Sequence, residues 1–452
     1  MRLRDLAGRR VVIWGWGNEG RAARHILERH APPSSLVVVD DQSRPSDAEV
    51  LRGADAAAAI AAADVIVKSP GVPPRLLTGL GKPVTGGTKL WFAETGGDRT
   101  IGVTGSKGKS TTASLIAHLL EAIGEPVVLA GNVGRALLDV LDVDLSDGTA
   151  ALRWNVLELS SFQCAEVEYS PQIGVLTALF PEHLDWHGSI DRYYADKINL
   201  FQHRSDIVSV VNAANPNIAA RLAKRTDELV NVIPYGTSAG LHPLDGWIVD
   251  SGLRRIASLA RFALLGGHNA VNVCGALTVL RALGFDASDP TVQAALDTFR
   301  PLDHRLQPLC EIDGRLVVDD GLSTAPDAAV AALAAFDDRP VTILVGGHDR
   351  GLDYGVLFAA IAARTQPTYV LGVPDSGGRI VDGIADSPLV GAISFADFDD
   401  AVGFALSETP PGGVILLSPA APSFGRFADY KARSAHFREL LGLSASAAAA
   451  SS

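Results

Sequence analysis

The chain has 452 residues, 47% of them hydrophobic and 20% charged, with a formal net charge of -12. That length exceeds a single core and points to two or three domains, while the acidic balance argues against a duplex nucleic-acid partner, which needs a local excess of Lys and Arg. Cys164, Cys274 and Cys310 follow neither a metal spacing nor a disulfide framework, the start MRLRDLAGRR leads into no apolar leader core, and no uncharged stretch reaches membrane-spanning length, so a cytoplasmic protein without membrane insertion is expected.

In chain order, the apolar run Val11–Trp14 leads into Gly15-Trp16-Gly17-Asn18-Glu19-Gly20. A helical pattern Arg21–Arg29 and a second run Leu36–Val39 follow, ending in Asp40-Asp41. Strand, glycine turn, helix, strand and acid form the first half of a Rossmann-like unit, with the acid near the spacing that suits a sugar hydroxyl. Ala54–Ala63 reads as helix, and the strand Val65–Lys68 ends at Ser69-Pro70-Gly71. A first α/β domain over 1–95 is expected.

The next segment, Thr104-Gly105-Ser106-Lys107-Gly108-Lys109-Ser110-Thr111, lies between a predicted strand Arg99–Val103 and a helix from about Thr111. This is the context in which a glycine turn wraps backbone N–H groups around polyphosphate, Lys109 brings a cation, and Ser110 or Thr111 reaches Mg²⁺. It has one residue fewer between its glycine and its Gly-Lys pair than the usual form of this motif. Apolar strands at Val127–Ala130, Asn155–Leu159, Ile173–Leu176 and Ile207–Val211 alternate with helices, which calls for a mostly parallel sheet covered on both faces. Trp247–Ile256 looks antiparallel, Ala270–Leu283 helical, and this domain is expected over 96–300.

Within it, Glu158 follows a strand, where an acid either holds Mg²⁺ or serves as a plain hydrogen-bonding group. Ser160, Ser161 and Gln163 come next. Pro181-Glu182-His183-Leu184-Asp185-Trp186-His187 packs two acids and two imidazoles into seven residues, enough to bind a divalent ion or orient phosphate, or simply to form a solvated turn; structural zinc does not fit the spacing. Lys197 sits in an amphipathic helix, where lysines ordinarily solubilise a surface. His268-Asn269 and His304-Arg305 could serve a nucleotide or act as caps and linker contacts. A third α/β unit, 301–452, has strands at Leu316–Val318, Val341–Val345, Thr368–Leu371 and Val414–Leu417, with Asp320, Gly346-Gly347 and Ser418 at strand ends, where open α/β sheets bind ligands.

Taken in order, Gly15–Gly20, Ser69-Pro70-Gly71, Gly105–Thr111, Gly131-Asn132-Val133-Gly134, Glu158–Gln163, His183, Lys197, His268-Asn269, His304-Arg305, Asp320 and Ser418–Ser423 closely resemble the ATP-dependent Mur ligases, within them the MurD-like, glutamate-adding group. The resemblance spans nearly the whole chain. It implies a three-domain α/β architecture: a Rossmann-like N-terminal domain, a central P-loop ATPase domain and a Rossmann-like C-terminal domain. It also implies ATP and two Mg²⁺ ions, a UDP-N-acetylmuramoyl-L-alanine substrate, an acyl-phosphate route and a monomer. It displaces the reading of Gly15–Gly20 as a dinucleotide oxidoreductase.

On the matching positions the resemblance implies ATP contacts at Gly105, Ser106, Lys107, Gly108, Lys109, Ser110, Thr111, Asn269, Arg305 and Asp320. Ser110, Glu158, His183 and a carbamylated Lys197 are the implied metal residues, and Lys109, His183 and Lys197 the implied catalytic ones. Sugar-nucleotide contacts fall at Gly15, Trp16, Gly17, Asn18, Asp40, Asp41, Ser69, Gly71, Asn132, Ser160 and Gln163. The amino-acid end departs from the family: its Asp-Ser-Lys-Ala-Thr-Asn run is here Asp320-Gly321-Leu322-Ser323-Thr324-Ala325, a further lysine is Arg350, and Ala-Ser-Leu is Pro422-Ser423-Phe424. Arg and Lys differ in carboxylate geometry and Phe424 narrows the pocket. A pocket of Thr324, Arg350, Ser423, Phe424 and Tyr430 is similar to the branch that adds L-glutamate and leaves a separate epimerase to make the D-residue. Ordinary D-glutamate ligation is the alternative, and a simple P-loop kinase or ATPase the competing class.

Overall fold

The computed structural model of the protein describes residues 1–40, 49–132, 134–148, 152–224, 229–262, 266–300, 303–349, 351–423 and 426–443. Contacts gather these into two compact units, one of 1–262 with 268–299 and one of 263–267 with 300–452.

The first unit begins with β1 (Arg10–Trp14), α1 (Asn18–His30), β2 (Ser35–Val39), β3 (Val50–Leu51), α2 (Gly53–Ala62), β4 (Val65–Lys68), β5 (Val84–Gly86) and α3 (Gly87–Thr95). The five strands form one sheet in the order β3-β2-β1-β4-β5, every pairing parallel. β1 enters with Val11, Val12 and Ile13 buried, and α1 lays Ala22, Ala23, Ile26 and Leu27 against the sheet at helical spacing.

A second sheet follows in the same unit: β6 (Thr100–Thr104), α4 (Lys109–Ala122), β7 (Val127–Gly131), α5 (Leu137–Asp147), β8 (Trp154–Glu158), α6 (Ser161–Cys164), β9 (Ile173–Leu176), α7 (Leu184–His187), α8 (Ile190–Ile198), β10 (Val208–Asn212), α9 (Pro216–Ala223) and β11 (Val232–Tyr235). Its order β11-β10-β9-β6-β8-β7 is wholly parallel. β6, β8 and β9 are buried along their whole length, as a sheet covered on both faces requires. Both sheets share one core: Leu27 of α1, Trp91 of α3 and Leu141 of α5 belong to a single cluster. The unit ends with an antiparallel ribbon, β12 (His242–Leu244), β13 (Trp247–Val249) and β14 (Arg255–Ser258), then α10 (Gly267–Ala282) and α11 (Pro290–Thr298).

The second unit contains β15 (Gln307–Ile312), β16 (Arg315–Asp319), α12 (Pro326–Ala334), β17 (Val341–Val345), α13 (Gly355–Ala362), β18 (Thr368–Gly372), α14 (Gly377–Asp382), β19 (Val390–Ser394), α15 (Phe398–Glu408), β20 (Val414–Leu417) and α16 (Tyr430–Leu440). Its sheet runs β15-β16-β20-β17-β18-β19, parallel except for the β15–β16 hairpin. Sequence patterning misses the edge strands β15 and β19. Their residues are half-buried or exposed, so the apolar run that marks β17 and β20 is absent. Among the described residues no helix is long and apolar enough to cross a membrane.

Candidate active site

The phosphate-loop segment joins β6 to α4 at the middle of the second sheet, beside β8 and β9. Gly105 has φ +147°, and an added Cβ would fall 2.1 Å from Thr177 Oγ1; Gly108 has φ +84°, and its Cβ would fall 2.5 Å from Asn272 Oδ1. Only glycine satisfies both the backbone and the space. Gly105→Ala is expected to cost roughly 1–3 kcal/mol of backbone strain plus the clash. Thermal melts with and without ATP should show a lower melting point and no ATP-dependent rise.

The loop's side chains divide into two groups. Ser106 is committed to the framework: its N–H donates to Ala178 O (2.7 Å), its Oγ donates to Phe180 O (2.8 Å) and accepts from Phe180 N–H (2.8 Å), and it shares a hydrogen bond with the Tyr193 hydroxyl (2.8 Å). Ser106 therefore braces the loop against the turn after β9. Lys107 pairs with Glu182 at 2.7 Å. Lys109 Nζ donates to Gly105 O (2.8 Å) and Ser106 O (3.0 Å), which keeps its charge against the loop backbone. Ser110 and Thr111 lie in the first turn of α4, Asn272 lies beside Gly108, and Asn269 receives the Asn272 side-chain amide at 3.0 Å.

A cavity of about 440 Å³ opens next to this loop, lined by Gly71, Lys109, Asn132, Ser160, Gln163, His183 and Lys197 among the expected residues. Ser161 and Glu182, singled out in the sequence without an assigned contact, also line it, as do Glu19, Phe162 and Tyr193, which the sequence reading gave no role. Lys197 is 2% exposed and donates to Gly105 O at 2.9 Å. Burial, reinforced by the Lys109 charge, lowers its ammonium to about 7. Glu158, 1% exposed, accepts from Asn132 Nδ2 at 2.9 Å through Oε1, while its Oε2 has no hydrogen-bond partner among the described residues. Ser160 caps α6 in a reciprocal box with Gln163: Ser160 N–H donates to Gln163 Oε1 (2.9 Å) and Gln163 N–H to Ser160 Oγ (3.2 Å). His183 takes φ +53° to start α7 and sets its ring 5.0 Å from that of Phe162.

Behind the cavity wall lies a buried relay. His187 Nδ1 is 2.6 Å from Asp196 Oδ2, and Nε2 is 3.0 Å from Ser161 Oγ. Burial lowers the His187 pKa against the opposing pull of Asp196. The neutral ring donates from Nδ1 to the carboxylate, so Ser161 donates its hydroxyl hydrogen to Nε2.

The remaining sugar-nucleotide candidates gather at the β1 turn. Gly15 has φ +107°, Ser69 Oγ donates to Gly15 O at 3.2 Å, and Asp40 Oδ2 accepts from Trp16 N–H at 2.7 Å, so that acid clasps the turn. Gly17 and Asn18 start α1 and are exposed, and the Trp16 ring carries Arg21 at 5.3 Å. Asp41, Arg350 and Phe424 lie outside the described residues.

In the second unit Asp320 is occupied by its own framework, accepting from Ser323 Oγ (2.5 Å), Ser418 Oγ (2.7 Å) and Leu306 N–H (3.1 Å), with its carboxyl pushed up to about 6 by burial. Arg305 beside it is exposed. Ser423 lines a small cleft with Gly346, Gly347, Asp375, Arg426 and Arg433. Thr324 and Tyr430 are not in that lining, and Tyr430 packs edge-on against His304 at 5.6 Å. Arg433 is missed by sequence reasoning. Buried on α16, it donates to Gly321 O (3.0 Å), Gly346 O (3.4 Å) and Ala421 O (3.4 Å), and burial lowers it to about 10.

Comparison with known proteins adds the following. The Mur ligase middle domain matches residues 103–280, and the Mur ligase, glutamate ligase domain matches 304–421. A UDP-N-acetylmuramoyl-L-alanine--L-glutamate ligase of Micromonospora sp. is 45% identical over 97% of this chain and 98% of its own length. That of Xanthomonas euvesicatoria pv. vesicatoria is 40% identical over 100% and 98%. In fold, the chain is similar to the UDP-N-acetylmuramate-alanine ligase MurC of Thermotoga maritima (TM-score 0.59, 18% identity, 96% of this chain and 99% of that one). It is also similar to the MurF ligase of the same organism (TM-score 0.57, 15% identity, 98% and 95%).

Proposed function

The chain belongs to the Mur ligase family, and from that membership we propose that it joins L-glutamate to UDP-N-acetylmuramoyl-L-alanine with ATP as phosphoryl donor. Identity of 40–45% over nearly the full length to ligases of that name supports the substrate pair. The observation that carries the chemistry is the convergence of Lys109, Asn132, Ser160, His183 and Lys197 on one cavity. We divide the work among 1–95 for the sugar nucleotide, 96–300 for ATP and 301–452 for glutamate.

The terminal carboxylate of the substrate attacks the γ-phosphorus of ATP, and the bond to ADP breaks. The glutamate amine then adds to the acyl carbon, sheds a proton and expels phosphate. Carboxylate and triphosphate repel each other, so the loop must lower that repulsion before in-line attack can occur. Lys109 brings the charge, and Asn269 with the first turn of α4 orients the nucleotide. Asn132, Ser160 and Gln163 hold the muramoyl side.

Mg²⁺ fits the donor set on one observation: Glu158 leaves a buried carboxylate oxygen without a partner among the described residues at the end of β8, one strand from the loop. Among the described residues no three His, Cys, Asp or Glu side chains make a metal cage by themselves, which suits an ion that completes its shell with phosphate oxygens and water. Glu158, Ser110 and His183 would hold it, and when bound it supplies positive charge beside the transferring phosphoryl group.

Lys197 suits carbamylation, because a free amine is the form that adds CO₂ and its ammonium is lowered to about 7. The sign follows directly. Above pH 7 the amine is free and the adduct forms; below it the amine protonates and the adduct is lost. Carbon-13 bicarbonate should give a carbamate resonance at pH 8 that fades towards pH 6 and is missing in Lys197→Ala. A spectrum without that resonance at pH 8 would remove Lys197 from the metal set.

The activity itself is tested by ADP release that requires both the UDP-sugar and the amino acid. Hydroxylamine should trap a muramoyl-alanine hydroxamate when glutamate is omitted. Release of ADP from ATP alone at the same rate would favour a simple ATPase.

A further inference from the structure

His187 closes the helix α7, and no step above uses it. That helix is a single turn, Leu184–His187, too short to hold itself together. It starts from His183 at φ +53°, a left-handed backbone that costs a non-glycine residue about 1–2 kcal/mol, and it stops at Gly188 with φ +81°. Tertiary contacts must therefore keep it in place. Among the described side chains of the turn Leu184 is exposed and Trp186 half-buried, while His187 is buried. The anchor is an imidazole where an apolar side chain is the usual choice.

His187 is tied in two directions. Its Nδ1 donates to Asp196 Oδ2 on α8 at 2.6 Å, and its Nε2 accepts from Ser161 Oγ at the start of α6 at 3.0 Å. Asp196 is itself fixed by Arg192 at 2.8 Å, and the ring is bracketed by those of Phe162 at 5.5 Å and Tyr193 at 5.1 Å. Apolar burial carries no direction, whereas hydrogen bonds on opposite sides of a ring set its rotation and that of the turn that bears it. The His187 N–H closes that turn on His183 O at 3.1 Å. Ser161 follows Ser160, Asp196 precedes Lys197, and His187 stands one turn after His183, so a single imidazole joins the segments that bring these three side chains to the cavity.

We propose that His187 is a positioning residue: bonded to Asp196 and Ser161, it holds α7 against α6 and α8 so that His183 keeps the orientation in which it takes the metal. This rests on the reading of His183 as a metal residue. The imidazole of His187 touches no reacting atom itself. Without its two bonds the turn is free to leave the left-handed conformation at His183, which weakens the metal site and spares the nucleotide site around Lys109.

Mn²⁺ titrated into the full chain saturated with a nonhydrolysable ATP analogue, with the free ion read by paramagnetic resonance, measures this apart from turnover. His187→Phe keeps the ring contacts and removes both hydrogen bonds. It should weaken Mn²⁺ binding about tenfold to a hundredfold, the range for groups that orient a metal ligand, and lower kcat while KM for glutamate holds. A folded His187→Phe that binds Mn²⁺ as wild type does, with only a lower melting temperature, would make His187 a plain structural contact and overturn the proposal. If that variant does not fold, Ser161→Ala decides, since it removes the Nε2 bond alone: Mn²⁺ binding weakened about threefold to tenfold supports the proposal, and unchanged binding overturns it. His183→Ala with wild-type Mn²⁺ affinity would instead refute the metal reading of His183 on which the proposal rests.

Discussion

Lys109→Ala is expected to lower kcat for ligation at least about a thousandfold, the scale seen when an electrostatic donor to a developing charge is deleted. The melting temperature should stay close to that of wild type. Lys109 Nζ rests on two neutral carbonyls, Gly105 O at 2.8 Å and Ser106 O at 3.0 Å. Phosphate oxygens are stronger acceptors for an ammonium than carbonyls, so the side chain is disposed to transfer to them. The loop does not depend on it for shape, since Ser106 is fixed separately to Phe180, Ala178 and Tyr193. Lys107→Ala is the control. Its ammonium is paired with Glu182 in a partly exposed ion pair, and its loss should cost less than about tenfold. Coupled ADP-release assays with quantified product measure both. Ligation by Lys109→Ala above a few per cent of wild type would remove it from the catalytic set.

The second expected result is a preference for L- over D-glutamate of at least about a hundredfold in kcat/KM. A three-point pocket cannot keep the α-carboxylate, γ-carboxylate and amine on their partners when the hand at Cα is inverted, and each unpaired charge costs a few kcal/mol. Ser423 lies in the cleft with Gly346 and Gly347, and Leu322 falls where the resemblance implies a lysine in the D-glutamate group. Parallel assays with each isomer, read by product mass, decide the matter. Faster ligation of D-glutamate would overturn the substrate while leaving the ATP chemistry in place.

The strand, glycine turn and helix around Gly105–Thr111 were legible because two glycines, a lysine and a hydroxyl at fixed spacing mark such a turn, and the parallel sheets because continuous apolar runs mark doubly covered strands. Lys197 was not legible from its surroundings alone. Its helix has the pattern of a surface element, and only the tertiary placement of Gly105 O and Tyr193 shows that the ammonium is buried. Glu19 was hidden for a related reason. An acid in the first turn of a helix is ordinary dipole compensation, and its distinction comes from Asp139, Gln163 and Glu166, more than a hundred residues away. Ser106 shows a further limit: its motif position suggests a ligand contact, and nothing in the sequence shows that its hydroxyl also holds Phe180.

Arg433 carries a consequence for anyone redesigning the cleft proposed to take the amino acid. Its guanidinium ties together the carbonyls of Gly321, Gly346 and Ala421, which belong to turns after three different strands. Those turns are therefore not independent modules. A loop graft that shifts one carbonyl loosens the other two through the shared cation, so changes of specificity should be sought first in side chains, with the three backbones and Arg433 left as a fixed chassis.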